Sequence, residues 1–420
     1  MPWEAANSPT REKNQRMILI MAWRNIWRNR KRSLIITGSV ALGIMAGLFI
    51  MALYQGMIDA RIRTVIQDEA AHLQIHHPAF KPDRQAADTI PDSHELLIDL
   101  AALDEVDRFS PRLIALGMLA TATGSAGVEI RGVTPAREKE VGHLDTKVVQ
   151  GAYFPGNRKN EILVGKALVN KKGLELNKKV VLTFTDTDKT IVSGAFRIVG
   201  IYESTNTALD ERIVYTQRDD MASLLGVGDA VHEVAIVLKE DGLLDPASQR
   251  LQTSYPQLLI ETWRQIAPET ELLVTVFNRM GFVVLIIIMI TLAFGIINTM
   301  LMAILERIRE IGMMIALGMN KVRLFFLVLL ETTLLTVIGT PFGIGVTWLF
   351  ILYFSRQGID TTAFAEAMMS DYGFERIIYP QFPNGQIGEM ILLIAGTAVL
   401  ASIIPAWRAL RMEPADALRK

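Results

Sequence analysis

Few residues in this 420-residue sequence have the type and spacing for chemistry. His72, His76 and His77 lie close together, but no nearby carboxylate or further histidine completes a metal site, so a structural or solvated role is expected. Gly165-Lys166 lacks the G-x-x-x-x-G-K-[ST] spacing of a phosphate-binding loop. The sequence contains no cysteine, which excludes disulfides and thiolate chemistry. No catalytic, cofactor-binding or metal-binding residue is therefore predicted, and the chain is not expected to be an enzyme.

Charged residues between two apolar runs form the most informative pattern. One apolar run ends near Leu305, and a second begins near Leu324. Between them, apolar residues recur at helical spacing among the charges, which predicts a short amphipathic helix with one face free to dock onto another protein. The predicted docking residues are Glu306, Arg307, Arg309, Glu310, Ile311, Gly312, Ala316, Leu317 and Gly318.

Glu331 is an ionisable residue inside the second of these runs. An ionised carboxylate at the centre of a membrane helix costs roughly 2.5–3.5 kcal/mol on insertion scales. We therefore expect Glu331 in a bundle interior or at a subunit interface, either protonated or partnered by polar groups. The candidate partners are Thr332, Thr333 and Asn298. A structural clamp between helices is favoured over a role in gating, and both remain open.

Four segments are long and apolar enough to cross a bilayer, for which about 20 residues are needed. The sequence predicts transmembrane helices over 34–55, 279–305, 324–354 and 387–405. Half of the residues are hydrophobic and 21% are charged, which suits a few spans plus a large water-exposed domain. The interruption at 339–341, Gly-Thr-Pro, predicts a kink, a strong tilt or a protruding end in the third span.

Basic residues set the predicted orientation. Eight lysines and arginines but only two acidic residues precede Leu34, and four more basic residues lie in each of the segments 306–323 and 406–420. The positive-inside rule then places both termini and the 306–323 segment in the cytoplasm. The 56–278 segment and the 355–386 loop lie on the other side of the membrane.

Residues 1–33 are predicted to form a basic amphipathic helix along the inner leaflet of the bilayer. Trp23 and Trp27 fall on one face of such a helix with other apolar residues. Arg24 and Arg28 fall on the opposite face, which is typical of an interfacial helix. The alternative is a simple cytoplasmic extension of the first span.

The 56–278 segment is predicted to be a large α/β (α+β) domain inserted between spans one and two. Strand-like patterns occur at 72–77, 128–133, 161–164, 180–185, 196–202 and 233–238. Helical patterns occur at 93–103, 166–172, 219–225 and 247–254. The stretch 80–93, rich in Pro, Asp and Ala, is predicted to be a flexible excursion.

At these residues the chain resembles a known family. The run N-T-M-L-M-A-I-L-E-R-I-R-E-I-G-M-M-I-A-L-G at 298–318 is similar to the hallmark of FtsX/MacB-like ABC permeases, also called type VII or mechanotransmission ABC proteins. The outer fragments I-R-G-V at 130–133, G-A-Y-F at 151–154 and E-I-L-V-G at 161–165 occur in the order expected for that family. The resemblance covers nearly the whole chain.

The resemblance implies a permease subunit that is driven by another chain. In this family, a coupling helix between spans two and three docks onto a separate cytoplasmic ATPase, which binds ATP and Mg²⁺. The implied partners are two ATPase copies, a second permease copy or paralogue and the lipid bilayer, without nucleic acid. The implied location is the bacterial inner membrane, with the large domain in the periplasm.

The resemblance to the family leaves open which cargo the permease moves. The sequence Q-D-E-A-A-H-L-Q-I-H at 67–76 most resembles lipoprotein-releasing (Lol-type, LolC/LolE-like) permeases, which implies lipoprotein cargo and a periplasmic carrier. One alternative is a MacB-like export permease for peptides or small molecules. Another is an FtsX-like activator of a cell-wall hydrolase, although the outer domain of such activators is typically much smaller than residues 56–278.

Overall fold

The computed structural model describes residues 20–24, 26–28, 30–121, 124–317, 319–360, 377–382 and 387–410. The chain divides into two compact units. The first, which we call the membrane unit, comprises Met1–Met57, Val276–Ile359 and Ile378–Lys420. The second, which we call the outer domain, comprises Ile58–Thr275 and Asp360–Ile377.

Helices and strands are labelled in chain order. The helices are α1 (Arg30–Thr64), α2 (Phe80–Asp83), α3 (Ser93–Ala102), α4 (Pro135–Gly142), α5 (Lys166–Lys172), α6 (Thr207–Asp210), α7 (Arg218–Leu225), α8 (Leu244–Ser254), α9 (Trp263–Ile266), α10 (Pro268–Glu306), α11 (Ile308–Ala316), α12 (Lys321–Gln357) and α13 (Ile387–Leu410). The strands are β1 (Leu73–His76), β2 (Val106–Thr121), β3 (Gly124–Val133), β4 (Val148–Gly151), β5 (Glu161–Gly165), β6 (Lys179–Thr185), β7 (Ile191–Tyr202), β8 (Ile213–Gln217), β9 (Glu233–Leu238), β10 (Leu259–Thr262), β11 (Ile359–Asp360) and β12 (Ile377–Ile378). A π-helix follows α1 at Val65–Ala70, and a 3-10 helix precedes α8 at Asp241–Leu243.

Four helices in the described part of the chain are long and apolar enough to cross a membrane: α1, α10, α12 and α13. Their inward side chains form one apolar core, which includes Ile36, Ile44, Leu48, Ile296, Leu335 and Ile394. Many of their other large apolar side chains are exposed. Helices that are apolar on all faces, with one side packed and the other exposed, suit a lipid environment. Helices α1 and α10 extend beyond the predicted spans, to Thr64 and from Pro268.

Helix α12 runs without interruption through Pro341. Its 37 residues correspond to about 55 Å at 1.5 Å per residue, which exceeds the apolar thickness of a bilayer. The glycines beside the proline have a packing role. A Cβ at Gly339 would lie 2.9 Å from the carbonyl oxygen of Thr37, and a Cβ at Gly343 would lie 2.8 Å from that of Ala41. Both glycines therefore allow α12 to approach α1 closely, as small residues do between membrane helices.

The outer domain is built on a ten-stranded sheet. Its strand order is β10-β1-β9-β2-β3-β8-β5-β7-β4, and β6 pairs with both β2 and β7. Strand β2 is 16 residues long and joins two apolar cores. Its first half pairs with β9, and its second half pairs with β3 and β6. Strand β9 is buried along its whole length, which is typical of a strand covered on both faces.

Sequence patterns missed strands β2, β4, β8 and β10. Strand β2 was missed because Pro111 interrupts its sequence pattern. Proline has no backbone N–H to donate to a neighbouring strand, so it argues against a central strand. The fold tolerates Pro111 because β3 pairs with β2 only from Arg112 onward. The predicted flexible excursion at 80–93 is wrong. Its residues Phe80 and Ile90 are each 2% exposed, and the Ile90 amide donates to the carbonyl oxygen of Val231 at 2.8 Å.

Candidate functional site

The segment between α10 and α12, which we call the hairpin, is a short helix between two breaks. Helix α10 ends at Glu306, and the backbone of Arg307 leaves the helical region with φ −106° and ψ 17°. Helix α11 follows, with nine residues. Helix α12 then begins after Asn320, whose side-chain oxygen accepts a hydrogen bond from the amide of Val322 at 2.9 Å.

Among the described side chains of α11, the exposed ones lie on one side of the helix, and some of the residues predicted to dock lie on the buried side. Ile311 is 5% exposed and packs into the core of the membrane unit, and Gly312 is also buried. The docking role of Ile311 stays a prediction, and its burial leaves little of its surface for a partner. The exposed residues among the described side chains from Glu306 to Leu317, which we call the outer face, are Glu306, Arg309, Met313 and Leu317. Residues four apart lie on the same side of a helix, so charge and apolar surface stand side by side there. Gly318 and the Ala316 side chain lie outside the described residues.

Four charged side chains of alternating sign connect the hairpin with neighbouring helices; we call them the ion chain. Arg28 Nη2 lies 2.5 Å from Glu310 Oε2. The same oxygen accepts a hydrogen bond from Arg307 Nε at 2.9 Å. Arg307 Nη1 lies 3.7 Å from Glu331 Oε2. The ion chain thus runs from the segment before α1, through the hairpin, into α12.

Burial increases along the ion chain. The side chains of Arg28 and Glu310 are about half exposed, whereas those of Arg307 and Glu331 are 13% and 4% exposed. Hydrogen bonding from Arg307, followed by that from Arg28, lowers the pKa of Glu310 and keeps it ionised. The exposed end contributes little to stability, while the buried end is costly to break.

Glu331 has an ion-pair partner, Arg307, that the sequence did not predict. The hydroxyl of Thr332 donates to the carbonyl oxygen of Val328 at 3.1 Å, and Thr333 bonds its own helix in the same way. Asn298 is exposed on α10, whereas Glu331 is buried. The interpretation of Glu331 as a structural clamp between helices stays a prediction. In this interpretation Arg307 is the partner that Glu331 holds.

The segment before α1 contributes both a packed side and an exposed side. Ala22 and Ile26 are buried in the core of the membrane unit. Trp23 and Trp27 are exposed, with ring centroids 6.0 Å apart in an edge-to-face arrangement. Arg24 is exposed as well. Exposed tryptophans next to arginines are typical of a membrane–water interface, so the interfacial role of this segment stays a prediction.

A second polar cluster lies in the outer domain, where α1 ends and α10 begins; we call it the junction cluster. It comprises Arg61, Asp68, Glu69, Lys147, Thr205, Asn206 and Thr270. Arg61 is 4% exposed and donates to Glu69 Oε1 and to Thr270 Oγ1, each at 2.9 Å. Arg61 therefore fastens the end of α1 to the start of α10.

The π-helix supplies the two acidic members of the junction cluster. Glu69 accepts a hydrogen bond from Asn206 Nδ2 at 2.8 Å. Asp68 pairs with Lys147 and accepts from Thr205 Oγ1 at 2.7 Å. The side chains of Asp68 and Glu69 are 6% and 11% exposed. Two helix ends are thereby held to loops of the ten-stranded sheet.

Sequence reasoning missed the junction cluster. Its acidic members stand in the same Q-D-E stretch that carried the family resemblance, but their partners Lys147, Thr205 and Asn206 follow 79 to 137 residues later along the chain. One signal was available: two adjacent acidic residues soon after an apolar helix are costly to bury without partners.

The histidines considered as metal ligands contact other side chains of the outer domain. His72 Nε2 bonds Asp241 at 2.9 Å, and His76 lies 6.0 Å from Phe80 in a stacked arrangement. Among the described residues, no group of three or more His, Cys, Asp or Glu side chains is placed to hold a metal ion. A buried network, in which Arg112 of β2 pairs with Glu138 and Glu233, joins β2 to α4 and to β9.

Comparison with known families decides the identity of the chain. A profile of the MacB-like periplasmic core domain matches residues 33–254, more than half of the chain. A profile of the FtsX-like permease C-terminal domain matches residues 282–414, which contain the hairpin and the ion-chain residues Arg307, Glu310 and Glu331. The chain belongs to the FtsX/MacB family of ABC permeases. It is a multi-pass membrane permease, and members of this family work with a cytoplasmic ATPase.

Individual relatives are distant. This permease is 26% identical over 306 residues to a lipoprotein-releasing system transmembrane protein LolC of Xylella fastidiosa, covering 69% of this chain and 72% of the relative. It is 22% identical to the LolC of Neisseria meningitidis, covering 90% and 92%. It is 23% identical to the macrolide export ATP-binding/permease protein MacB of Escherichia coli, covering 99% of this chain but 62% of the relative.

Proposed function

We propose that this permease couples ATP hydrolysis by two separate ATPase subunits to movement of its outer domain, and that the movement releases lipoproteins from the bacterial inner membrane. The ion chain carries the coupling part of the proposal. Ion pairs connect the hairpin to the segment before α1 and to α12. A displacement of the hairpin by the ATPase would therefore move these elements together. ATP and Mg²⁺ would be bound by the partner.

The outer face of the hairpin is the surface that we assign to the ATPase. Arg309 and Glu306 supply charge for orientation, and Met313 and Leu317 supply apolar area. Leu317 is 88% exposed, and a large apolar side chain displayed so fully at the end of a helix suits burial against a partner. Ile311 and Gly312 instead hold α11 to the membrane unit.

A second permease copy or a paralogue is also proposed. Asn298 exposes an amide on α10, within the apolar part of that helix. An amide facing lipid tails leaves its hydrogen bonds unmade, whereas small polar side chains between membrane helices find partners. Pairing through α10 would satisfy Asn298.

The cargo part rests on the relatives. The LolC proteins match this permease over most of both chains, and their names state lipoprotein release. The MacB relative is named for macrolide export, so small-molecule export is the competing function. A lipoprotein cargo would also require a periplasmic carrier to accept it. Activation of a cell-wall hydrolase is a third candidate. The reconstitution described next separates it from lipoprotein release and from macrolide export.

Reconstitution tests the cargo. With its ATPase in proteoliposomes, the permease is expected to move an acylated protein into the soluble fraction when ATP and an acceptor protein are supplied. The same preparation should not transport a macrolide. The measurement is the acylated protein that remains in solution after the vesicles are sedimented, with an ATPase variant unable to hydrolyse ATP as the control. ATP-dependent macrolide transport without protein release would favour the MacB-like function.

Cysteine labelling tests the proposed orientation, in which both termini and the hairpin are cytoplasmic and the outer domain is periplasmic. Because the chain has no cysteine, single substitutions report without background. Asn320→Cys in the hairpin should resist a membrane-impermeant thiol reagent in spheroplasts, whereas Lys189→Cys in the outer domain should react. Both positions are exposed, so burial cannot explain a difference. Labelling of position 320 from outside would contradict the orientation.

A further inference from the structure

A polar cleft of about 210 Å³ lies in the outer domain, and none of the junction-cluster residues lines it. Its wall is formed by the end of α1, the π-helix, β2, the end of α4 and the end of β9. At about 30 Å³ for each liquid water, the cleft has room for on the order of seven waters. It is therefore large enough for a small polar group with a substituent.

The acidic side chains of the cleft are already paired. Asp107 accepts a hydrogen bond from Arg108 Nε at 2.8 Å. Asp241 accepts from His72 Nε2 at 2.9 Å, because His72 Nδ1 is itself the acceptor for the amide of Leu238. Neither carboxylate is left without a donor.

Two cations of the cleft are not neutralised. Arg63 lines the wall from α1, and its only side-chain bond in the described structure runs from Nε to the backbone oxygen of Asp59 at 3.3 Å. Lys239 lines the wall directly after β9, and its Nζ has no ion-pair partner among the described residues. The cleft therefore has a net positive charge, and the side chains of Arg63 and Lys239 have hydrogen-bond donors available for a ligand.

Irregular backbone flanks the same cleft. The wall residues Ile66 and Gln67 belong to the π-helix, a conformation that is rare and frequent at functional sites. Ala71, directly after it, has φ 56° and ψ −170°, a strained combination for an alanine. Strain kept next to a charged cleft points to a binding role for that cleft.

We infer that the cleft binds a phosphate group, with Arg63 and Lys239 as its ligands. The guanidinium nitrogens of Arg63 can engage two phosphate oxygens, and Lys239 adds a second charge for a group that carries up to two negative charges. The remaining volume accommodates a substituent on the phosphate. Two sources share this chemistry: free phosphate and the headgroup of an anionic phospholipid. The inference does not depend on the cargo or on ATP.

Calorimetry on the full chain in neutral detergent tests the inference. The probes are inorganic phosphate and dihexanoyl-phosphatidylglycerol. At least one should bind saturably, and Arg63→Gln/Lys239→Gln should raise its Kd by about tenfold or more, since each lost charged hydrogen bond is worth over 1 kcal/mol. Binding of the lipid at least tenfold tighter than phosphate would identify a headgroup, whereas similar affinities would identify the phosphate alone.

The matched control removes two exposed lysines elsewhere in the outer domain. Lys178→Gln/Lys189→Gln has the same change in net charge and leaves the cleft intact. It should bind the probe as the unchanged chain does. Absence of saturable binding by both probes, an unchanged Kd in the cleft variant, or an equal loss in the control variant would each overturn the inference. Because the readout involves neither hydrolysis nor release, it can fail while the proposed function stands.

Discussion

Replacing Arg307 by glutamate is expected to abolish release by the permease while the ATPase remains bound. The substitution places a third carboxylate between Glu310 and Glu331, and Glu331 is only 3% exposed. Removing one partner of a buried ion pair typically costs about 3–5 kcal/mol. At 3.7 Å the Arg307–Glu331 pair is not a tight hydrogen bond, so the lower part of that range is expected. The measurements are the unfolding midpoint in detergent, the rate of ATP hydrolysis and the rate of release.

A charge swap separates coupling from folding. Arg307→Glu/Glu331→Arg restores opposite charges between the hairpin and α12 and should recover much of the unfolding midpoint. Arg323→Glu is the control, since it makes the same charge change at an exposed position of α12. Normal release by Arg307→Glu at a normal hydrolysis rate would mean that the ion chain is not part of the coupling path. Equal damage by Arg323→Glu would mean that only the net charge of the hairpin matters.

Replacing Arg61 by methionine is expected to be the most damaging single change in the junction cluster. It leaves Glu69, 11% exposed, without its cation and leaves Thr270 without its donor. The expected loss is again about 3–5 kcal/mol. Release should fall because α1 and α10 lose their direct connection in the outer domain. Hydrogen exchange across β8 and the π-helix, together with the release assay, would measure both effects.

A paired substitution distinguishes transmission from simple stability. Arg61→Met/Glu69→Gln removes both charges, and the new amide oxygen can still accept from Asn206. Replacing a buried ion pair by uncharged groups is often nearly neutral, so this variant should fold well. If the junction cluster transmits movement, release stays low despite normal stability; normal release would assign the cluster a structural role only. Arg250→Met, at an exposed ion pair, is the control and should change neither quantity.

The sequence alone determined the local and periodic features of this permease. Apolar runs of sufficient length predict membrane helices, and the described part of the chain contains four such helices. Strand β9 and helix α5 match their predicted ranges because their patterns are unbroken and their ends carry clear turn signals. The family resemblance around residues 298–318 also depended on local sequence only, and the family profiles confirm it.

Only the tertiary structure decided which charges meet and which faces remain exposed. Arg307 meets Glu331 across 24 positions, and Arg61 meets Thr270 across 209, so no local pattern pairs them. The outer face of α11 could not be chosen from amphipathicity, because the membrane unit itself covers the more apolar side at Ile311. Burying a charge is favourable only when its partner arrives from elsewhere in the chain. For that reason the sequence could locate the charged positions of the hairpin, whereas their partners depended on how the helices pack.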